Sequence, residues 1–208
     1  MALDDGEALA LLGSLSFMRQ SVAVGALVVI VTILCARDTY LAGYPGRWRV
    51  PADVAAAGST AVPHDGAPAW AGGVNCARTF TPGAEELGRQ LRITFAQITR
   101  VFGYECRPNT ALPNETSQHG TGRAIDLAIP VRDGDANNEL GDPVANWLVM
   151  HSSRIGVQLI IWDRTAWVGR LSGAKDVPYT GPDPHIDHIH VELNRAGADL
   201  QTDFFRKP

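Results

Sequence analysis

Histidine is concentrated in two short segments of this chain, and that concentration restricts how the chain can fold. The sequence has six histidines in 208 residues, and four of them lie in segments 117–126 (SQHGTGRAID) and 184–193 (PHIDHIHVEL). Both segments also carry carboxylates. A catalytic zinc ion needs three nitrogen or oxygen ligands from the protein and one open position. A fold that brings the two segments together would supply such ligands, which indicates a metalloenzyme.

The second segment predicts a strand with two histidines on one face. His188 and His190 are two positions apart, so in a strand their side chains point the same way. Asp187 would point to the opposite face of a regular strand. It can share a site with the histidines only if it lies at the mouth of the strand or at a bulge.

The first segment predicts a loop that doubles back. His119 and Asp126 are separated by six residues, two of which are Gly120 and Gly122. Glycine allows the sharp reversals that bring an imidazole and a carboxylate to one point. Each segment alone is moderate support for a site, and the two together are strong support.

The two segments resemble a known group of zinc peptidases. The pattern SxHxxGxAxD at 117–126 is similar to the first motif of the lysostaphin, D-alanyl-D-alanine carboxypeptidase and Sonic hedgehog relatives, and HxH at 188–190 is similar to their second. The resemblance covers residues 76–205 and is closest to the carboxypeptidase and phage endolysin branch. In that branch an acidic residue stands three positions before the last histidine, where this chain has Asp187. Many relatives have Glu there.

The resemblance implies a role for each matching residue. The metal ligands of one Zn²⁺ would be His119, Asp126 and His190, and the general base would be Asp187. His188 would support the site or stabilise the transition state. Arg107, which precedes the first motif, would polarise the scissile carbonyl, or it is simply a surface arginine.

The function implied is that of a zinc metallopeptidase, a hydrolase that cuts amide bonds in peptidoglycan stem peptides of the cell wall as a carboxypeptidase or endopeptidase. Two alternatives stay open: a catalytically silent zinc-binding module for cell-wall or protein recognition, and a metal-dependent amidase or esterase with another substrate. The net charge of −4 provides no electrostatic footprint for nucleic acid. The oligomeric state is left open.

The N-terminus predicts a membrane segment. Residues 21–36 form an uncharged apolar run between Arg19 and Arg37. The run is shorter than the roughly 20 residues that span a bilayer, but flanking residues can extend it. We expect a short tail at 1–20 and a single-pass signal anchor at 21–36, with the C-terminal domain extracytoplasmic. The alternatives are a cleaved signal peptide, which would give a secreted protein, and a buried core helix.

Residues 37–73 are rich in Ala, Gly and Pro and predict a flexible linker, so the zinc peptidase-like domain is expected at 74–208. Cys76 and Cys106 are its only cysteines. In an exported domain they predict a disulfide, which would close a loop of about 30 residues and contribute about 3 kcal/mol. The alternative is two buried free thiols.

Periodicity in the domain predicts an α+β fold with a small, mostly antiparallel sheet flanked by helices. Helices are expected from Thr81 to Gly103 and over 142–155, and strands over 104–107, 124–131, 157–162, 165–169 and 186–193.

The remaining candidate residues have both functional and structural interpretations. His185 could be a rim residue or an alternative ligand, and His151 is expected to be packed or exposed within a helix. Trp162 and Trp167 could wall a substrate groove or pack at an edge. Arg123 could bind a substrate carboxylate or be solvated.

Overall fold

The structure, a computed structural model, describes residues 47–206. The predicted tail, the predicted anchor at 21–36 and the first part of the predicted linker lie outside the described residues. Within 47–206, no helix is both long and apolar enough to cross a bilayer.

In the part of the chain that the structure describes, six antiparallel strands form one sheet in the order β1-β2-β6-β3-β4-β5. Their bounds are Arg100–Phe102 (β1), Ala124–Ala128 (β2), Val157–Trp162 (β3), Thr165–Val168 (β4), Asp176–Pro178 (β5) and His188–Leu193 (β6). The predicted α+β class with an antiparallel sheet is confirmed. Strand β5 lies in a stretch where no strand was predicted.

The sheet register determines where the two histidine segments meet. Strand β6 lies between β2 and β3, and every one of its residues is buried. In the antiparallel pairing of β2 with β6, Asp126 is directly opposite His190, and Ala128 is opposite His188. Directly opposed residues have their side chains on the same face. The pairing therefore brings a carboxylate and an imidazole from distant parts of the chain together.

Among the described residues, five helices accompany the sheet, with bounds Ala52–Ala57 (α1), Pro82–Thr94 (α2), Asn138–Met150 (α3), Ser152–Ile155 (α4) and Arg195–Ala198 (α5). Helix α2 buries Leu87 and Leu91 at helical spacing, and α3 buries Val144 and Leu148. Burying such a side chain contributes about 1.5–3 kcal/mol. These contacts hold the helices against one face of the sheet. Side chains on the other face of the sheet can therefore line a cavity.

The first predicted helix is too long, because it ends at Thr94 and not at Gly103. The backbone becomes extended at Phe95. The Phe95 ring packs on Trp147, with ring centroids 5.9 Å apart. Residues 100–102 then pair with β2 as strand β1, and no strand forms at 104–107. Pairing with a distant strand has overridden the local helical period.

The prediction of a flexible linker is wrong for residues 47–73, which pack on the domain. Trp48, Val54 and Val62 are buried, and the Trp48 indole donates a hydrogen bond to Asn146 Oδ1 at 2.9 Å. Lys175 Nζ donates to two backbone carbonyls of the same segment. These three apolar residues are too widely spaced to give a helix or strand pattern in the sequence, yet all three are buried.

Cys76 and Cys106 form the predicted disulfide, with their Cα atoms 5.7 Å apart. The backbone N–H of the adjacent Ala77 donates to the carbonyl of Gly120 at 2.8 Å. The disulfide therefore ties the loop that carries Arg107 to the chain segment beside the first motif.

Replacing both cysteines with serine is expected to lower the free energy of unfolding by about 3 kcal/mol, because the unfolded chain loses the constraint of a loop of about 30 residues. Urea denaturation of the variant and the unreduced protein measures the difference. The reduced wild type serves as the control and should match the variant. Equal unfolding midpoints for all three samples would contradict the prediction.

Candidate metal centre

Three of the predicted ligands converge at one point. His119, Asp126 and His190 are buried, and one potential ligand atom from each lies within 4.8 Å of the others. His190 Nδ1 is 3.0 Å from Asp126 Oδ1, and His119 Nε2 is 3.6 Å from Asp126 Oδ2. The group could hold a metal ion, and the identity of that ion as zinc stays a prediction.

The spacing of these atoms fits a tetrahedral ion. Ligand atoms about 2.1 Å from such an ion lie about 3.4 Å from one another. The two distances to Asp126, 3.0 Å to Oδ1 and 3.6 Å to Oδ2, end on different carboxylate oxygens and fall on either side of that value. His119 Nδ1 is also buried without a hydrogen-bond partner among the described residues. We therefore find that the donor set fits a small divalent cation.

A tight turn presents His119 to β2. The N–H of Gly122 donates to the His119 carbonyl at 3.1 Å, and the N–H of Thr121 donates to the Ser117 carbonyl at 3.0 Å. Gly122 has φ +72°, and a Cβ there would lie 2.3 Å from the carbonyl oxygen of Thr79. Only glycine fits this position, as the predicted doubling back of the loop requires.

Gly103 forms a wall of the site, a role that the sequence did not reveal. Its φ is +113°, and a Cβ built on it would lie 2.5 Å from Asp126 Oδ2 and 2.9 Å from His119 Nδ1. The prediction assigned Gly103 as the end of a helix. Gly103 instead follows strand β1 directly, and its backbone lies against Asp126 and His119.

Glu192 is a second residue that the sequence analysis missed. Its buried carboxylate Oε1 lies 3.3 Å from His190 Nε2, while Gln158 Nε2 donates to Oε2 at 3.1 Å. His190 therefore turns Nδ1 toward Asp126 and Nε2–H toward Glu192. Histidines that ligate metals commonly donate their other N–H to a carboxylate. The sequence did carry a signal for Glu192. It follows His190 by two positions, which puts both side chains on one face of the strand.

Burial and mutual contacts shift the pKa values of the three residues and of Glu192. Burial alone would lower the pKa of His190, but hydrogen bonds and charge interactions with Asp126 and Glu192 raise it to about 9. Burial, followed by the charge of His190, lowers the pKa of His119 to about 4. Burial would raise the pKa of Asp126 and of Glu192, but the contacts with His190 lower both. At neutral pH His190 of the metal-free site is thus a positively charged imidazolium, with an N–H on both ring nitrogens.

Zinc binding at pH 7 is expected to release about one proton per chain, because a ligand nitrogen must be deprotonated and the pKa of His190 is about 9. The apparent affinity should fall about tenfold per pH unit as the pH drops below that pKa. Calorimetric titration with one equivalent of zinc, in buffers of different ionisation enthalpy, measures the protons released. A heat that does not depend on the buffer would refute the assignment.

Glu192→Gln is expected to weaken zinc binding by about 10–100-fold, since the amide is a poorer acceptor for His190 Nε2–H. Competition with a chromogenic chelator measures the affinity. Glu139→Gln makes the same chemical change on a side chain that is 79% exposed, and it should bind zinc like the wild type. Equal affinities for both variants would show that Glu192 does not support the ligand.

His188 and Asp187 form a pair beside the three ligands. His188 is buried, and its Nδ1–H donates to Asp187 Oδ1 at 2.7 Å. His188 Nε2 lies 3.9 Å from Asp126 Oδ1. The Asp187 side chain is 67% exposed. The predicted base thus contacts the far side of the imidazole, whereas His188 Nε2 faces the ligand group.

A cavity of about 420 Å³ opens over these residues. Arg107 lines it together with the three ligands and His188, and its charge contributes to the lowered pKa of His119. Arg107 also donates to Glu105 at 2.9 Å. All three of the predicted metal ligands and two of the three predicted catalytic residues therefore border one cavity.

Several other candidates have structural roles. Arg123 is buried and donates to backbone carbonyls, including that of Gly66 at 2.7 Å. Trp162 and Trp167 are buried in the core, so the interpretation as groove walls is wrong. His151 stacks on Trp147 with ring centroids 4.2 Å apart.

Comparison with known proteins identifies the family. The sequence model of the family described as "VldE, C-terminal domain" matches residues 76–190, which is more than half of the chain. The chain belongs to this family. The match includes both histidine segments up to His190. No curated protein and no solved structure matches.

Proposed function

We propose that this member of the VldE C-terminal domain family is a zinc-dependent metallopeptidase that hydrolyses amide bonds in peptidoglycan stem peptides, as a carboxypeptidase or an endopeptidase. The observation that supports hydrolysis best is the buried group of two imidazoles and one carboxylate on the wall of a cavity. The substrate class rests on the similarity of the two motifs to those of cell-wall peptidases.

The ligand types favour zinc. His119, Asp126 and His190 provide two imidazole nitrogens and a carboxylate, a set found in catalytic zinc sites. The absence of a thiolate from this group of three argues against softer metals. When bound, zinc would polarise a substrate carbonyl and lower the pKa of a water molecule.

Proton transfer is assigned to His188, with Asp187 holding it in place. Because Nδ1–H donates to Asp187, the neutral imidazole has its lone pair on Nε2, the atom that faces Asp126. His188 Nε2 would take a proton from the attacking water and return it to the leaving amine. This proposal replaces the predicted base, Asp187, by the imidazole that it orients.

Arg107 is proposed to stabilise the negative charge that develops on the substrate carbonyl oxygen. Its guanidinium lines the cavity, and a fixed positive charge near a developing oxyanion lowers the barrier. The interaction with Glu105 holds the side chain at the cavity edge before substrate enters.

Location outside the cytoplasm is supported by the disulfide, since such bonds persist in oxidising compartments. Together with the apolar run at 21–36, it supports a single-pass membrane protein with an extracytoplasmic C-terminal domain, or a secreted protein if the run is cleaved. Either location would give the domain access to peptidoglycan.

The test is amine release from purified peptidoglycan. The zinc-loaded protein should release free amino groups, a chelator should stop the release, and added zinc should restore it. His64→Ala removes an exposed histidine outside the cavity and should behave like the wild type. Tight zinc binding without amine release would instead favour the silent zinc-binding module.

A further inference from the structure

A second group of potential ligands lies in the same cavity. Asp183, His185 and His188 each offer one ligand atom, and these atoms lie within 4.8 Å of one another. The two imidazole rings have their centroids 4.7 Å apart. Both histidines are buried, while Asp183 is exposed at the rim. The proposed hydrolytic mechanism uses only His188 from this group.

Hydrogen bonds leave the same nitrogen free on both rings. His185 Nδ1–H donates to the Asp183 carbonyl at 2.6 Å, and His188 Nδ1–H donates to Asp187 Oδ1 at 2.7 Å. Each neutral ring therefore has an unprotonated Nε2. Histidines that ligate metals through one ring nitrogen commonly donate the N–H of the other to an oxygen in this way.

The loop holds His185 in an uncommon conformation. Its φ is +52°, a left-handed value that non-glycine residues rarely adopt. Asp183 Oδ1 accepts a hydrogen bond from the His185 backbone N–H at 3.0 Å, and the Tyr179 ring packs edge-on against the imidazole at 5.0 Å. Such local strain persists where the surroundings fix it, and it is common at ligand sites.

We infer that Asp183, His185 and His188 form a second site for a divalent transition metal ion of the zinc type, adjacent to the first. The two groups are neighbours, since His188 Nε2 is 3.9 Å from Asp126 Oδ1 and the His185 and His190 rings are 5.7 Å apart. The second site binds more weakly, because Asp183 is exposed and because His185 Nδ1–H donates to a backbone carbonyl, whereas His190 has the carboxylate of Glu192 behind it.

Occupation of the second site blocks His188 Nε2. An ion bound there takes the lone pair that proton transfer requires, so zinc above one equivalent inhibits hydrolysis. This consequence rests on the proposed function, whereas the existence of the site does not.

Zinc alone is the probe for the site. Titration of the full chain at neutral pH should give two ions per wild-type chain, one tight and one weaker. His185→Ala and Asp183→Asn should each retain the tight ion and lose the weaker one, and Asp183→Asn changes only an exposed side chain. His64→Ala should bind two ions. One ion per wild-type chain, or two ions in a folded Asp183→Asn or His185→Ala protein, would overturn the inference.

The inhibition is tested separately by amine release at rising zinc concentration. Release by the wild type should fall as the weaker site fills. If release stayed constant while two ions were bound, the second site would stand and its inhibitory role would be rejected. If no amine were released at any zinc concentration, the proposed function would fail, and the count of ions would still decide the inference.

Discussion

His119→Ala protein is expected to lose its tightly bound zinc ion and to hydrolyse peptidoglycan no faster than buffer. The proposed site has three protein ligands, and a tight turn positions His119 as one of them. Losing an outer hydrogen-bond partner costs about 10–100-fold in metal affinity, and losing a ligand should cost more. Metal analysis after dialysis at limiting zinc measures the loss.

Matched variants sharpen this result. His190→Ala should lose the ion as His119→Ala does, whereas His64→Ala should keep it, because His64 is exposed and lies outside the cavity. Circular dichroism would verify that each variant is folded. Unchanged zinc content in both ligand variants would exclude the proposed metal centre.

His188→Ala is expected to retain the tight zinc ion and to lower turnover by about 10²–10⁴-fold. That range is typical of losing a general acid–base group. His188 is not one of the three ligands, and its Nε2 faces them from 3.9 Å, so chemistry should suffer while metal binding survives. Single-turnover kinetics at equal zinc occupancy would measure the effect.

The role of Asp187 is separated by a double variant. If Asp187 acts only through His188, Asp187→Asn should cost less than His188→Ala, and the double variant should be no slower than His188→Ala alone. If turnover fell by about 10²–10⁴-fold in Asp187→Asn while His188→Ala remained active, Asp187 would be the base, as the motif resemblance implied.

The parts of the fold and site that could be predicted are those that a short stretch of sequence specifies by itself. Strand β3 is a continuous apolar run between Gly156 and a turn, and its bounds agree with the prediction. The loop glycines and the spacing of two, visible within short segments, predicted that the two segments share a site, and the family resemblance selected His119, Asp126 and His190 as its ligands. Their convergence then follows from the pairing of β2 with β6.

The features that were missed depend on contacts between distant residues. No local pattern distinguishes β1 from the end of a helix, because β1 exists only by pairing with β2. Gly103 borders the site for the same reason. Trp48 lies in an Ala-, Gly- and Pro-rich stretch, and its burial depends on distant residues, including Asn146, which is 98 positions away.

Mass spectrometry of fragments released from purified peptidoglycan tests the central claim most directly. The zinc-loaded wild type should release stem-peptide fragments with new carboxyl and amino ends at one type of amide bond, and their masses would identify the bond. His188→Ala with full zinc should release almost none. The chelator-treated protein is the control. If the wild type with its tight zinc ion released only the fragments that this control also releases, the assignment as a peptidoglycan metallopeptidase would be contradicted.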